Sequence, residues 1–85
     1  MHLPPSSPTF EIAAIGSMTG AIKAQRALAR GGISAEIVSL SPGDTRHGCA
    51  YGISFAANQG SAVRRALRAA GIAVSEYLSK SGAQI

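Results

Sequence analysis

Two stretches of this chain echo each other. "RALARGGI", beginning at Arg26, reappears as "RALRAAGI", beginning at Arg65. Each copy reads as the end of a helix that runs through Gly into a strand opening with Ile. An apolar segment precedes each helix, "FEIAAIG" at 10–16 and "CAYGISF" at 49–55. A chain of 85 residues has room for one domain. Two strand-helix-strand halves must therefore share one sheet.

The remaining segments fit that plan. In "SMTGAIKAQRALARGG", Ser17 or Thr19 is placed to cap a helix. Ala21, Ala24 and Leu28 fall on one face of it, and Lys23, Arg26 and Arg30 on another. Gly31 and Gly32 stop it. "ISAEIVSL", 33–40, is rich in β-branched residues and reads as the second strand. "SPGDTRHG", 41–48, is a loop by its Pro, Gly and Asp. In the third strand, 49–55, Cys49, Tyr51, Ile53 and Phe55 alternate with Ala50, Gly52 and Ser54. Asn58 or Ser61 is placed to cap a second helix, whose buried stripe is Val63, Ala66, Leu67 and Ala70 and whose outer face carries Arg64, Arg65 and Arg68. "IAVSEYLS", 72–79, is the fourth strand. The order β-α-β-β-α-β predicts an α+β fold, the ferredoxin-like sandwich: a four-stranded antiparallel sheet with two helices on one face. The domain spans 9–80. "MHLPPSSP", 1–8, is expected to be a disordered tail, since its prolines suit neither a helix nor a central strand. Residues 81–85 are expected to be a loose end.

Composition narrows the class. Hydrophobic residues make up 46% and charged residues 14% of the chain, with two Tyr, two Phe and no Trp. That suits a compact globule with an aliphatic core. A domain this small buries little more than about 60% of its unfolded surface, so a homodimer is a natural way to bury more. No apolar run is long enough to cross a bilayer. A single cysteine cannot form an internal disulfide. A cytoplasmic protein with a reduced thiol and no membrane partner is the expectation. The formal net charge of +4 permits an anionic partner without demanding one.

That cysteine is the main chemical question. In the expected topology strand three starts at the sheet edge where strand one ends. Cys49 should then lie near "GSMTG", 16–20. A helix N-terminus presents unpaired N–H groups and partial positive charge, which favour anions and thiolates. Gly16, Ser17 and Thr19 would line that position. Arg46 and His47 would add charge, and Gly48 would leave room for a reagent. Against this, free Cys is among the most buried residue types and behaves as a small hydrophobe. Alternation fixes the parity of Cys49 but not the face it takes.

Much of the chain, residues 10–79, resembles the putative selenium/sulfur carrier protein-like family, a small bacterial domain. The resemblance rests on "IGSMTGAIKAQRAL", "ARGGISAEIVSL", "TRHGCAYGISF" and "AVRRALRAAGIAVSEYL". The family's hallmark is a Cys at the start of strand three, where Cys49 stands. Many members follow that Cys with Gly; here Gly48 precedes it and Ala50 follows. The resemblance implies a carrier holding sulfur or selenium on Cys49 as a persulfide or selenosulfide. It implies a partner that supplies the atom, such as a cysteine desulfurase or another sulfur- or selenium-transfer protein. It implies no cofactor, and a carrier or accessory role in place of a stand-alone enzyme.

Other chemistries are weaker. His47-x-Cys49 offers two metal ligands where a structural zinc site needs four, and His2 is the only other His. The RNA-recognition signature for strand three fails where its first stacking aromatic falls on Cys49 and its last on Ser54, so nucleic acid is not expected as a partner. No C-x-x-C, phosphate loop or paired carboxylates are present. The alternative function is a dimeric regulatory module that binds a small anion or metabolite, with Cys49 purely structural.

Overall fold

A computed structural model describes residues 9–41, 43, 45 and 48–81. Seven segments follow in order: strand β1 (Thr9–Ala14), helix α1 (Met18–Arg30), strand β2 (Glu36–Ser39), strand β3 (Tyr51–Ala56), a short 3-10 turn (Ala57–Gln59), helix α2 (Gly60–Ala69) and strand β4 (Glu76–Ser81). The strands form one open sheet in the order β2-β3-β1-β4. Every neighbouring pair is antiparallel: Ala13 pairs with Ile53 on one side and Tyr77 on the other, and Ile37 pairs with Ile53. The fold class is α+β, an antiparallel four-stranded sheet with two helices. The expected tail, 1–8, and residues 82–85 lie outside the described residues.

Both helices cover the same face. Ala21, Ala24 and Leu28 of α1 and Val63 and Leu67 of α2 join Ala13, Ile53 and Phe55 of the sheet in one buried cluster. The α1 stripe is the one its spacing predicts. In α2, Val63 and Leu67 are buried, Ala66 is half-buried, and Ala70 is exposed because it already belongs to the helix end. Ser17 is the α1 cap: its hydroxyl accepts the Gly20 N–H at 3.0 Å, which satisfies one of the donors a helix start leaves open. The α2 cap corrects the sequence expectation. Neither Asn58 nor Ser61 holds it; Gln59 occupies the position without a side-chain bond. The 3-10 turn runs straight into α2 and supplies the chain reversal itself.

The repeated sequence is a repeated helix stop. The Gly32 N–H donates to the Ala29 carbonyl and the Ile33 N–H to the Leu28 carbonyl. In the second half Gly71 donates to Arg68 and Ile72 to Leu67. Gly32 and Gly71 have φ of 80° and 72°. This is the Schellman arrangement, with an apolar contact between the residue after the Gly and the last helical Leu. It explains why β2 and β4 start later than the sequence predicts. Ile33 and Ile72 finish the helix caps and pack into the core instead of joining the ladder. Pairing resumes near Ser75, whose N–H donates to the Ala14 carbonyl. At its other end β4 extends through Lys80 and Ser81, beyond the expected limit at 79.

Candidate functional site

Cys49 lies outside the ladder. β3 starts at Tyr51, two residues later than alternation suggests, because the backbone of Cys49 is used elsewhere. Its N–H donates to the Thr45 hydroxyl at 2.8 Å, and Thr45 is itself buried. Below them the Leu40 N–H donates to the Ala50 carbonyl at 2.8 Å, closing the neck of the β2–β3 connection. Gly48, directly before Cys49, has φ of 67°, a backbone shape that residues with a Cβ rarely adopt.

This local path decides the face. Cys49 clusters with Ile12, Ala14 and Leu40, with Val38 and Leu78 packed around them. Ile12 and Ala14 flank Ala13, which belongs to the helix-side cluster. By strand alternation they point to the opposite face. Cys49 therefore sits on the face away from α1 and α2, whereas Ile53 and Phe55 face the helices. The parity shared with Tyr51, Ile53 and Phe55 does not extend to Cys49, because period-two alternation holds only where the backbone is extended and paired. Cys49 is 6% exposed. Its Sγ lies 3.3 Å from Ser75 Oγ, which sits just before β4. Gly52 makes this cluster close. A Cβ there would come within 2.8 Å of both the Ala13 carbonyl and Ile12 Cγ2, and within 3.3 Å of Leu40 Cδ1.

The other expected site residues are placed as follows. Gly16 and Ile15 both donate to the Tyr51 carbonyl, at 3.1 and 2.9 Å, so the α1 start does reach the sheet end from which β3 sets out. Gly16, Ser17 and Thr19 are exposed there. The Ser17 hydroxyl is engaged with its own helix, while the thiol is engaged with Ser75 on the far side of the sheet. Arg46 and His47 lie outside the described residues. Among the described residues no group of three or more His, Cys, Asp or Glu side chains is arranged to hold a metal ion. No helix of the described residues is long and apolar enough to cross a membrane.

The family model described as putative Se/S carrier protein-like matches residues 11–79. The chain belongs to that family. No curated protein and no solved structure matches the chain. Two residues that hold Cys49, Ser75 and Thr45, escaped sequence reasoning. Ser75 was hidden inside an apparent strand, and Thr45 inside a polar loop. Only the pairing of distant segments brings either to the cysteine.

A second feature lies at the opposite end of the sheet. A cavity of about 1000 Å³ opens between the end of α1, the start of β2 and the end of β3, lined in part by Phe10, Gln25, Arg26, Glu36, Phe55 and Gln59. Gln25 closes one wall by donating its side-chain N–H to the Ala35 carbonyl at 3.0 Å. None of the residues that line it belongs to the α1 start.

Proposed function

We propose that this protein is a sulfur or selenium carrier, with Cys49 holding the transferred atom as a persulfide or selenosulfide. The observation that carries the reading is the pairing of Cys49 with the Ser75 hydroxyl inside a member of the Se/S carrier-like family. We read the sheet order as the ferredoxin-like arrangement, in which the start of β3 and the end of β1 share one sheet end.

The step is redox-neutral overall. The Cys49 thiolate attacks the outer sulfur of a donor Cys–S–S⁻. The S–S bond to the donor breaks, its cysteine leaves as a thiolate, and a new S–S bond forms on Cys49. The thiol proton passes to solvent. The nucleophile must be the thiolate, and a hydroxyl beside it is a donor for either the thiolate or the persulfide anion. Arg46 and His47, which precede Gly48 in the chain, would supply positive charge. The α1 start, at Gly16, Ser17 and Thr19, would frame the approach. At 6% exposure the sulfur is reached through local opening around Cys49. The donor would be a cysteine desulfurase or a related sulfur- or selenium-transfer protein in the cytoplasm.

The test is intact-protein mass after incubation with a cysteine desulfurase and cysteine, without added reductant. A gain of one sulfur on the native chain and none on Cys49→Ser supports the carrier. No gain on either, with several desulfurases, rejects it.

The burial of Cys49 among Ile12, Ala14 and Leu40 favours a second reading: a structural cysteine in a small ligand-binding module. The cavity lined by Phe10, Arg26 and Gln59 would then be the functional site, with a small organic anion or metabolite as ligand and a homodimer as the unit. Binding that survives Cys49→Ala supports it.

A further inference from the structure

Among the described residues, the helix side of the sheet is rich in cations. α1 carries Lys23, Arg26 and Arg30, and α2 carries Arg64, Arg65 and Arg68. All six are exposed, and neither helix contains an acidic residue. The acid on the helix side of the sheet is Glu11, and it is engaged with Arg64 at 3.6 Å. Glu36 and Glu76 pair in register with Ser54 and Ala14, which puts them on the other face with Ile12 and Cys49. Two packed helices lie about 8–10 Å apart. With Arg64 given to Glu11, the helix layer presents five further cations, four of them arginine.

We propose that this layer docks on the phosphate backbone of double-helical nucleic acid, independently of base sequence. Three features select this partner. Guanidinium groups match phosphate oxygens in a bidentate way. Neither helix bears an aromatic residue, so the base-stacking platform of single-strand binders is missing. A specific protein interface needs an apolar or aromatic anchor near its centre; the exposed large apolar side chain on these helices is Met18, at the very start of α1. Between the cations stand Ala and Gln. Such a surface suits a partner recognised by charge alone. It also lies on the face opposite Cys49, so a docked duplex leaves the thiol side open.

Fluorescence anisotropy with labelled 20-base-pair RNA and DNA duplexes, titrated between 25 and 200 mM KCl, tests this. Four phosphate contacts predict that log K falls against log salt with a slope of about −3 to −4. The variant carrying Arg26→Gln, Arg30→Gln, Arg65→Gln and Arg68→Gln should bind at least tenfold more weakly, with its slope near zero. Arg64 is kept because it supports the fold. Should the fourfold variant lack native circular dichroism, Arg26→Gln and Arg65→Gln singly should each reduce the slope by about one. Cys49→Ser should bind like the native chain, which separates this surface from the carrier chemistry. Preference for RNA or for DNA identifies the source of the phosphates. Absence of duplex binding at 25 mM KCl, an unchanged slope in the variants, or equally tight binding of polyglutamate of matched charge overturns the proposal, the last in favour of an acidic protein.

Discussion

Cys49 and Ser75 are 26 residues apart in the chain, and their side chains meet at the end of the sheet with Sγ 3.3 Å from Oγ. The contact is between a thiol held by a loop and a hydroxyl held by the approach to β4. The Ser75 backbone is fixed independently, since its N–H donates to the Ala14 carbonyl. Its main chain is thus anchored to β1 beside the thiol. Ser75→Ala should leave loading of Cys49 possible but shorten the lifetime of the loaded state severalfold, as a charge-assisted hydrogen bond is lost. Following the mass of the loaded protein over time measures this; equal lifetimes in the two proteins would exclude a role for Ser75.

Thr45 holds the backbone of Cys49. Its hydroxyl accepts the Cys49 N–H in a buried setting, and leaving that donor unpaired costs about 1–3 kcal/mol. Thr45→Val keeps the shape and removes the acceptor. Local opening of the connection should become easier by roughly tenfold, and alkylation of Cys49 faster by the same factor. Because Cys49 is the sole thiol, the reaction needs no deconvolution. Unchanged alkylation kinetics would mean that Thr45 does not gate the sulfur.

Gly52 is a packing requirement. The Ala13 carbonyl is backbone and cannot yield to a Cβ at 2.8 Å. Gly52→Ala should destabilise the fold by about 1–3 kcal/mol, the usual cost of overpacking, read as a lower urea midpoint. Alkylation of Cys49 should accelerate with it, since Ile12 and Leu40 flank both residues.

How far the sequence led depends on the range of the determining contacts. Ser17 as a cap, the Ala21, Ala24 and Leu28 stripe, and the order of elements rest on neighbours within a turn or two, and the residues announce them. Strand starts were misplaced because Ile33 and Ile72 look like strand residues yet serve the preceding helix. The face of Cys49 was not legible at all. It depends on the bond to Thr45, made where Cys49 lies outside the ladder, and on the shape that Gly48 permits. The thiol's neighbours Ser75, Leu40 and Ala14 come from three separate segments, so nothing local marks them.

Arg64 links the layers. It lies between Glu11, at 3.6 Å, and the Tyr77 ring, 4.3 Å from its centroid. Glu11 Oε1 is buried and makes no hydrogen bond, so the guanidinium is its compensating charge. Arg64 is 43% exposed, which limits the effect. Arg64→Ala should cost about 1 kcal/mol by chemical denaturation. A neutral result would mean that solvent replaces the arginine fully.

Tyr77 adds a pH dependence. Burial, partly opposed by the charge of Arg64, raises its hydroxyl above the ordinary tyrosine value, which is about 10. The folded state therefore holds this proton more tightly than the unfolded chain. Its contribution to stability is complete below pH of about 10 and is lost as pH climbs through the raised folded value. Tyr77→Phe should flatten that alkaline decline in a series of denaturation midpoints from pH 8 to pH 11. An identical decline in the variant would place its origin elsewhere.

The twin helix stops have a consequence for how the chain finds its shape. Each reversal is held by two bonds spanning no more than six residues, Leu28 to Ile33 and Leu67 to Ile72. Both halves can rehearse the same turn independently and at the speed of local motion. Seating β1 between β3 and β4 instead needs contacts of long sequence separation, the kind that slows folding. The shelter of the cysteine depends on that seating, because Ala14 on β1 packs against it and anchors Ser75.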